Sequence, residues 1–501
     1  FIFFHLPLEL PPRRYTIPWT DQSATRDTPV CLKGLLNLSK FSGQSVVFAV
    51  TSPRNHNQPT MSLNIERTDR KRVVIVGGGF GGLKLANELH NSGFQVILID
   101  RNNYHQFPPL IYQVAASGLE PSSIAFPFRK LFKRNKDIYF RLAEARVIWP
   151  EKKLLQTSIG KVEYDYLVLA AGATSNFFGN QAVEREAIPM KTLSEAMGLR
   201  NALLGNFERS ITCATAEERR ELRTIVIVGG GATGVEIAGA LAEMKRYIFP
   251  KDYPEMDMNE VRVILIEAGS RLLAAMSSVS SEKARKFLEQ MGGEVRVNTR
   301  VLDYKDYRVC LEGGESIPSR TFIWVSGIQA NIVENMPADC LGRGRRIKVD
   351  AFNRVEGMDD VFCIGDQALM TADTRYPNGH PQLAQVAIQQ GRLLARNLKR
   401  LAKGEPMQPF AYRNLGTMAT VGRNKAGEEL GAMKFQGWFA WVLWLVVHLR
   451  SILGVRNKMN VLLNWMWNYF TYEHSLRSII YAKKAKVVID REQREATVHL
   501  K

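Results

Sequence analysis

Two segments of the chain carry nearly the same glycine-rich sequence, and this duplication constrains the fold more than any other feature. They read VVIVGGGFGGLKLANEL at 73–89 and IVIVGGGATGVEIAGAL at 225–241, so nine of seventeen positions are identical at an offset of 152 (225 minus 73). Each joins a continuous apolar run, typical of a buried parallel strand, to a GxGxxG turn and a helix. The sequence therefore predicts an α/β protein with two Rossmann-like dinucleotide-binding domains.

The glycines of the first loop have separate roles. Gly77 permits a tight turn, Gly79 lets a pyrophosphate approach the backbone, and Gly82 lets helix and strand pack closely. The N-terminus of the helix then faces the phosphates. The next apolar run, QVILID, ends at Asp100, where a carboxylate can accept both ribose hydroxyls of an adenosine. The segment predicts a dinucleotide site.

Two later segments indicate which dinucleotide the first loop binds. YDYLVLAAGATSNFFG at 164–179 and VFCIGDQA at 361–368 resemble the later fingerprints of the two-dinucleotide-binding flavoprotein superfamily. Three fingerprints in this order imply FAD. The FAD-binding residues predicted on this basis are Gly77, Gly79, Phe80, Gly81, Gly82, Asp100, Arg101, Ala171, Gly172, Gly365, Asp366, Ala384 and Gln385.

The second loop repeats the glycine pattern with a different acid. Its following strand ends at Glu267, which can accept the 2′-hydroxyl of NADH and repel the 2′-phosphate of NADPH. Arg271 is the nearest base, so NADH is favoured. The predicted NADH-binding residues are Gly229, Gly231, Ala232, Thr233, Gly234, Glu236, Glu267 and Gly327.

The order of these segments predicts that one domain is inserted in the other, because the second loop lies between two FAD fingerprints. TFIWVSGI at 321–328 is the expected closing strand. This topology puts the nicotinamide against the flavin ring. The predicted segments are an upstream extension before Met61 at 1–60, a first FAD-binding part at 61–183, an NADH-binding domain at 184–333, a second FAD-binding part at 334–415, a C-terminal membrane-association domain at 416–483 and a tail at 484–501.

The two loops differ two residues after the third glycine, where the first copy has Lys84 and the second has Glu236. An acid in a first helical turn complements the helix dipole. The same position also lies near the expected junction of the two cofactors. From the position alone both interpretations stay open.

Composition limits the partners. The net charge is +18, but no Lys/Arg run resembles a nucleic-acid arm, so no nucleic acid is expected, and an anionic membrane surface stays possible. The five cysteines form no CxxC pair and no metal knuckle, and no iron–sulfur or haem ligand set is recognisable. We predict no metal and no redox dithiol.

The C-terminal quarter predicts membrane association. The apolar run at 437–447 has 11 residues, about 16 Å as a helix against a hydrocarbon core of about 30 Å. The segment at 455–475 carries a polar stripe of Asn, Thr and Ser residues at helical spacing, and Val461, Trp465, Tyr469 and Tyr472 line another face. Amphipathic helices rich in Trp and Tyr suit a membrane interface. An oligomer interface or a buried two-helix cap is the alternative.

Taken together, these motifs resemble the type II NADH:quinone oxidoreductases over about 71–480. The resemblance includes YHQFPPLIYQVA, IWVSG, AQVAIQQG and RNK besides the fingerprints above. It implies catalytic roles for Glu236, Gln385 and Gln389, with the two glutamines beside the flavin ring where a quinone headgroup binds. Glu236 would lie near the contact between nicotinamide and flavin. Some relatives have His at the position of Ile388, so any role of that His does not transfer.

The resemblance also implies an activity and a location. The expected enzyme passes a hydride from NADH to FAD and then two electrons to ubiquinone or menaquinone, without pumping protons. It would be a homodimer attached by its C-terminal helices to the cytoplasmic face of a bacterial inner membrane. A sulfide:quinone oxidoreductase, using Cys340 and Cys363, is one alternative; a non-enzymatic redox-sensing flavoprotein is another.

Overall fold

The structure is a computed structural model that describes residues 63–430, 433–473 and 476–480. The predicted extension at 1–60 and the predicted tail at 484–501 lie outside the described residues.

The first glycine loop belongs to a five-stranded parallel sheet. Its strands, in spatial order, are Val361–Cys363, Tyr166–Leu169, Arg72–Val76, Gln95–Asp100 and Ile138–Leu142. Arg72–Val76 is buried along its whole length, as its apolar run predicts for a central parallel strand. The helices Phe80–Leu89 and Ala384–Ala402 pack closely on each other beside this sheet.

Smaller elements surround the first sheet. They comprise the helices Ile111–Ala115 and Phe128–Leu131, the antiparallel sheet of Ala145–Trp149, Leu154–Thr157 and Gly160–Glu163, and the two-stranded pairs Tyr104–Gln106 with Ala125–Pro127 and Ile347–Val349 with Ala368–Met370.

The second glycine loop belongs to a second five-stranded parallel sheet. Its order is Ile188–Pro189, Thr321–Trp324, Thr224–Val228, Arg262–Ile266 and Glu294–Arg296. An antiparallel sheet of Val301–Lys305, Arg308–Leu311 and Ser316–Pro318 accompanies it. The helices of this region are Gln181–Glu186, Leu193–Thr212, Ala216–Arg223, Ala232–Tyr247, Phe249–Asp252 and Ser278–Gln290.

The chain enters and leaves the second region through one pair of strands. Ala173–Ser175 follows the first sheet's strand at 166–169, and it pairs antiparallel with Ile328–Ala330, which follows the second sheet's strand at 321–324. The chain then completes the first sheet with Val361–Cys363. The insertion that the order of the motifs predicts is therefore present in the topology.

The C-terminal region consists of an antiparallel sheet and two helices. The strands are Thr417–Thr420, Ala426–Leu430 and Met433–Gln436, and the helices are Trp438–Ser451 and Val455–Thr471. Trp444 and Val461 belong to one hydrophobic cluster that also contains Tyr112 and the helix Ala232–Tyr247. Within the described residues no helix is both long and apolar enough to cross a bilayer.

The helix Val455–Thr471 turns its polar stripe toward the protein. Asn457 donates to the carbonyl of Ala125 at 3.0 Å, and Asn468 donates to that of Gly118 at 3.3 Å. Val461 is fully buried, and Tyr469 stacks on Trp441. Both faces singled out from the sequence thus contact the body of the molecule.

A third face is exposed and apolar, and the sequence pattern did not single it out. Together with the neighbouring helix it forms what we call the docking surface: Trp438, Phe439, Val446, Val447, Val455, Met459, Leu463, Met466, Trp467 and Phe470. Val455 and Phe470 are 79% and 76% exposed. Large apolar side chains clustered in this way mark an interaction surface rather than ordinary protein surface.

Candidate functional site

The first loop has the geometry that its glycines predict. Gly77 has φ +101°, and a Cβ there would lie 2.3 Å from the carbonyl oxygen of Ala170. A Cβ on Gly82 would lie 1.9 Å from the carbonyl oxygen of Gly77, so only glycine lets the helix approach the strand. A Cβ on Gly79 would meet nothing within 4 Å. Gly79 therefore borders open space, where a phosphate can approach.

Asp100 braces this loop from the end of the adjacent strand. One carboxylate oxygen accepts the backbone N–H of Gly78 at 2.7 Å, and the other accepts that of Asn102 at 2.7 Å. Burial raises the pKa of Asp100, and these two hydrogen bonds oppose the rise. The carboxyl group is thus fixed beside the loop, as a ribose-binding acid requires.

A cavity of about 460 Å³ runs along the loop. The helix of 19 residues that begins at Ala384 and the segment from Tyr104 to Pro109 both border it. Of the predicted FAD-binding residues, those that line it are Gly77, Gly79, Phe80, Gly81, Asp100, Arg101, Ala171, Gly172, Gly365, Asp366 and Ala384. Gly82 lies behind the loop in the packing contact described above. The cavity joins all three fingerprints, and the open space at Gly79 fits a pyrophosphate.

Two buried glutamines that the sequence did not reveal hold the fingerprints together. Gln367 is fully buried, accepts the backbone N–H of Ala171 and donates to the carbonyl of Asn331. Gln390 accepts the backbone N–H of Gly365 at 2.7 Å. Their signal in the sequence is weak, because a glutamine in a strand end or helix is ordinary until its partners are known.

The second loop has the same glycine geometry and the same carboxylate hydrogen bonds as the first. Gly229 has φ +117°, a Cβ on Gly234 would lie 1.8 Å from the carbonyl oxygen of Gly229, and a Cβ on Gly231 would meet nothing within 4 Å. Glu267 accepts the backbone N–H of Gly230 at 2.6 Å and that of Gly269 at 2.6 Å. Gly231 is therefore the open position of this loop, and Ala232 and Thr233 begin the helix beside it.

Gly327 follows the closing strand and has φ +98°. A Cβ there would lie 2.9 Å from the ring of Phe178, which packs edge-on against Trp324. Phe178 is 68% exposed and itself has φ +52°. This exposed ring beside a predicted NADH-binding glycine was missed in the sequence, where FFG at 177–179 looks like an ordinary turn.

Glu236 has surroundings unlike those of its counterpart in the first loop. Lys84 forms an ion pair with Glu88 at 2.6 Å on an accessible helix face. Glu236 retains partial exposure, yet protein atoms pack densely around its carboxyl group and raise its pKa to about 8. The backbone N–H of Thr420 donates to it and opposes this rise. The acid is therefore protonated at neutral pH, so helix-dipole complementarity, which requires a charge, does not account for it.

The side chains of the two predicted catalytic glutamines form hydrogen bonds with backbone groups. Gln385 donates to the carbonyl of Gly416 at 2.9 Å and accepts from the N–H of Leu415 at 2.8 Å. Gln389 pairs in the same way with the N–H and carbonyl of Arg413, at 3.1 and 2.8 Å. One turn apart on one helix, they fasten the segment 413–416. Both amides are engaged, and neither residue lines the cavity, although Ala384 and Ala387 on the same helix do.

Comparisons with known proteins agree with this architecture. The pyridine nucleotide-disulphide oxidoreductase family matches residues 71–391. The type II NADH:quinone oxidoreductase NdhA of Mycobacterium tuberculosis is 33% identical over 448 residues, covering 85% of this chain and 94% of that protein. A probable NADH dehydrogenase of Dictyostelium discoideum is 31% identical over 410 residues, covering 79% of this chain and 89% of that protein.

Among solved structures, NDH2 from Plasmodium falciparum in complex with NADH has a TM-score of 0.75 at 19% identity, covering 82% of this chain and all of that one. The fold and the two sites define a flavoprotein with two dinucleotide-binding domains. Within that class, the chain belongs to the type II NADH:quinone oxidoreductases. The fold class and the family predicted from the motifs are both confirmed.

The sulfide:quinone oxidoreductase of Aquifex aeolicus shares the fold, with a TM-score of 0.62 at 18% identity over 86% of this chain and 95% of that one. The thiols needed for sulfide chemistry are poorly placed here. Cys363 is fully buried inside a strand, Cys340 is buried, and burial raises the pKa of both thiols. A raised pKa disfavours the nucleophilic thiolate, so this alternative is not favoured.

Proposed function

We propose that this chain oxidises NADH at its second glycine loop, holds FAD at its first, and reduces a quinone at a membrane surface. The observation that carries the proposal is the pair of loops, each with an open glycine and a carboxylate braced on its backbone, on two sheets joined by one antiparallel pair of connecting strands. When bound, FAD accepts a hydride from NADH and gives two electrons to the acceptor. The overall reaction converts NADH, one further proton and quinone to NAD⁺ and quinol.

Different residues are proposed to bind the ribose and the pyrophosphate of FAD. Asp100 accepts the ribose hydroxyls, and Gly79 with the start of the helix Phe80–Leu89 receives the pyrophosphate. Asp366 and the start of the helix at Ala384 border the opposite wall of the cavity. Lys191 lies 4.0 Å from Asp366 and adds a positive charge to this wall. The cavity thus offers donors and a cation to an anionic ligand along its length.

The proposed NADH site uses Glu267 to choose the nucleotide. Its two oxygens accept backbone N–H groups, which fix the carboxylate beside the loop. A fixed negative charge accepts a ribose hydroxyl and repels a 2′-phosphate. We therefore propose that NADH is the donor in preference to NADPH.

Glu236 is proposed to supply the further proton. Its pKa of about 8 keeps the carboxyl protonated at neutral pH, where it can release a proton to a nearby base and regain one from solvent. A group with a pKa near the working pH suits such an exchange. Gln385 and Gln389 are proposed to act by fixing the backbone at 413–416 beside the start of the cavity-lining helix.

The docking surface is proposed to seat the enzyme on the membrane. Its apolar side chains suit the boundary between headgroups and acyl chains, and Arg450 and Arg456 are exposed near it, where anionic lipids would attract them. A quinone dissolved in the bilayer would then reach the protein without entering water. Homodimeric assembly and the cytoplasmic face of a bacterial inner membrane stay predictions from the family resemblance.

Anaerobic titration tests the function. The purified protein should be yellow, NADH should bleach the flavin absorbance, and a soluble quinone should restore it with two electrons per quinone. A flavin that NADH does not bleach would remove the proposal. Bleaching by sulfide but not by NADH would favour a sulfide:quinone oxidoreductase, and bleaching without reoxidation by quinone would favour a redox sensor.

A further inference from the structure

A continuous path of hydrogen bonds joins the C-terminal helix to the surroundings of Glu236. The indole N–H of Trp465, on the helix Val455–Thr471, donates to Gln113 at 2.8 Å. The amide of Gln113 donates to the hydroxyl of Tyr112 at 3.0 Å, and that hydroxyl lies 3.1 Å from the hydroxyl of Thr420. Thr420 lies on the strand that packs along the helix carrying Glu236, and its backbone N–H is close enough to the carboxyl group to lower the pKa of that group.

The chemistry of the donors sets the direction of the first two bonds. An indole N–H only donates, so the oxygen of Gln113 is occupied and its NH₂ faces Tyr112. Tyr112 accepts that bond, and in its bond with Thr420 either hydroxyl can donate. Tyr112 is buried, and burial together with the nearby Glu236 raises its pKa, so its hydroxyl stays neutral. Gln113 is thus held by its neighbours in one orientation.

The C-terminal sheet also packs against the helix that carries Glu236. The strand Thr417–Thr420 packs along the helix that carries Glu236, and a Cβ on Gly239 would lie 2.8 Å from the backbone nitrogen of Gly422. Tyr112 and Trp465 lie in or against the hydrophobic cluster behind this strand. The strand is therefore packed between the helix that carries Glu236 and residues of this cluster.

Few charges act on this region. Tyr112 faces Glu236 from the helix Ile111–Ala115, and Glu243 lies on Glu236's own helix. From the C-terminal sheet, Arg423 and Lys425 act on Glu243. The largest cause of the raised pKa of Glu236 is therefore its desolvation, and a change that admits water should lower that pKa.

We propose that Tyr112 is a positioning residue for the reaction: through Thr420 it holds the strand that contacts Glu236, and through Gln113 and Trp465 it ties that contact to the seating of the C-terminal helix. The position of the C-terminal helix and proton exchange at Glu236 are then linked through these contacts. This inference rests on the proposed role of Glu236. Tyr112 and Gln113 belong to the motif YHQFPPLIYQVA, and the inference adds a role for them and a link to the C-terminal helix that the motif by itself does not indicate.

Infrared spectroscopy tests the proposal without turnover. The C=O stretch of the protonated Glu236 carboxyl is assigned as the band that Glu236→Gln removes, and it is titrated against pH in the FAD-loaded protein. Tyr112→Phe deletes one hydroxyl and keeps the buried ring, so the fold is retained. Loosening the strand admits water, which lowers the pKa of Glu236, and weakens the Thr420 contact, which raises it; desolvation is the larger of the two causes. We therefore expect the midpoint to fall by roughly half to one pH unit.

Two tryptophans on one helix provide the matched comparison. Trp465→Phe removes the indole donor and should lower the midpoint in the same direction as Tyr112→Phe. Trp467→Phe makes the same change two residues away, on the exposed docking surface, and should leave the midpoint unchanged. A midpoint unchanged or raised in both Tyr112→Phe and Trp465→Phe would overturn the inference, as would an equal fall in Trp467→Phe.

Turnover separates this inference from the proposed function. The pH profile of quinone reduction should shift with the infrared midpoint in Tyr112→Phe and Trp465→Phe. If the unaltered protein fails to oxidise NADH with quinone, the proposed function fails whatever the infrared result. If it turns over normally while the midpoints of the variants coincide with its own, only the role of Tyr112 is lost.

Discussion

Glu236 and Glu243 lie two turns apart on one face of the helix Ala232–Tyr247, and one short stretch of the C-terminal sheet brings a backbone N–H toward each carboxyl group, from Thr420 and Arg423. Burial raises the pKa of both carboxyl groups. Within the described part of the chain, the guanidinium of Arg423 lies 3.4 Å from Glu243, whereas Glu236 has no ion pair. The same contact thus yields a paired, structural acid and an unpaired acid available for chemistry.

The pH dependence of stability should report the unpaired acid. The folded-state pKa of Glu236, about 8, exceeds its ordinary value of 4.5, so the folded protein keeps a proton that the unfolded chain releases between these pH values. Its contribution to stability is then lost as pH rises through that window. Glu236→Gln should remove this loss and gain roughly 1–2 kcal/mol at pH 8 relative to pH 5, allowing for partial exposure. Denaturant unfolding at both pH values measures this difference. An equal change in the free energy of unfolding between pH 5 and pH 8 in the two proteins would contradict the assignment.

The pH dependence of turnover should also report the ionisation of Glu236. Quinone reduction by the unaltered enzyme should decline as pH rises through about 8, because the proposed proton donor ionises there. Glu236→Gln cannot exchange a proton, so we expect a rate at neutral pH lowered by about tenfold or more and a flatter profile. Stopped-flow reduction of the flavin by NADH, with and without quinone, distinguishes the affected half-reaction. Unchanged rates with several quinones would return Glu236 to a structural role.

Breaking the paired acid should affect stability instead. Arg423 also donates to the carbonyls of Asn468 and Tyr469 at the end of the C-terminal helix, at 2.6 and 2.9 Å, and lies over the ring of Tyr472. Arg423→Gln leaves Glu243 buried without its cation, which should cost about 3 kcal/mol. Thermal unfolding measures the loss. The double variant with Glu243→Gln should recover part of it, and equal losses in the single and double variants would refute the pairing.

The glycines of the second loop should separate folding from binding. Gly234→Ala places a Cβ 1.8 Å from the carbonyl oxygen of Gly229 and should destabilise the domain, whereas Gly231→Ala places one in open space. Gly231→Ala should therefore fold and retain FAD but bind NADH about tenfold or more weakly, a loss of ~1.4 kcal/mol or more. Calorimetry of NADH binding and the thermal midpoint measure the two effects. Normal NADH affinity in Gly231→Ala would place the nucleotide elsewhere.

Nucleotide choice should follow Glu267. Replacing it by Ala and Ala268 by Arg removes the ribose acceptor and adds a cation for a 2′-phosphate, so the ratio of kcat/KM for NADPH to that for NADH should rise by roughly a hundredfold. Asp100→Asn, the equivalent change in the first loop, should weaken FAD retention without altering the ratio. A ratio that stays constant in the Glu267 variant would put the ribose assignment in doubt.

Membrane binding should depend on the docking surface. Replacing Leu463 and Phe470 by Ser removes two exposed apolar side chains, each contributing about 2 kcal/mol when buried in lipid, so affinity for anionic vesicles should fall by a hundredfold or more. Leu302→Ser, at a similarly exposed position in the second domain, is the control. Co-sedimentation measures binding. Equal binding by all three proteins would mean that another surface attaches the enzyme.

Part of the loop geometry is local in the sequence. A Cβ on Gly82 or Gly234 would strike a carbonyl five residues earlier in the same loop, whereas one on Gly77 or Gly229 would strike a neighbouring strand end that is distant in the sequence. The insertion follows from the order of the motifs, because parallel strands require long crossovers. Chain order alone therefore predicted the two sheets and their loops.

The orientation of the last helix was not local. The sequence showed a polar stripe but not its partners, which are the carbonyls of residues 118 and 125; Asn468 and Asn457 donate to them. Helical periodicity shows which residues share a face but not what each face meets. The exposed apolar face became visible only once the partners of the polar face were known.

Position 236 shows the division most clearly. The sequence determined that an acid stands in the first turn of the second helix where the first copy has Lys84, and it left open whether the helix dipole or the chemistry explained it. Only the tertiary structure gives the pKa of about 8, because it packs the helix of Glu236 against distant parts of the chain, among them a strand almost two hundred residues later. The role of Glu236 in the reaction stays a prediction. A pKa depends on everything packed around a group, and neighbours in space are not neighbours in sequence.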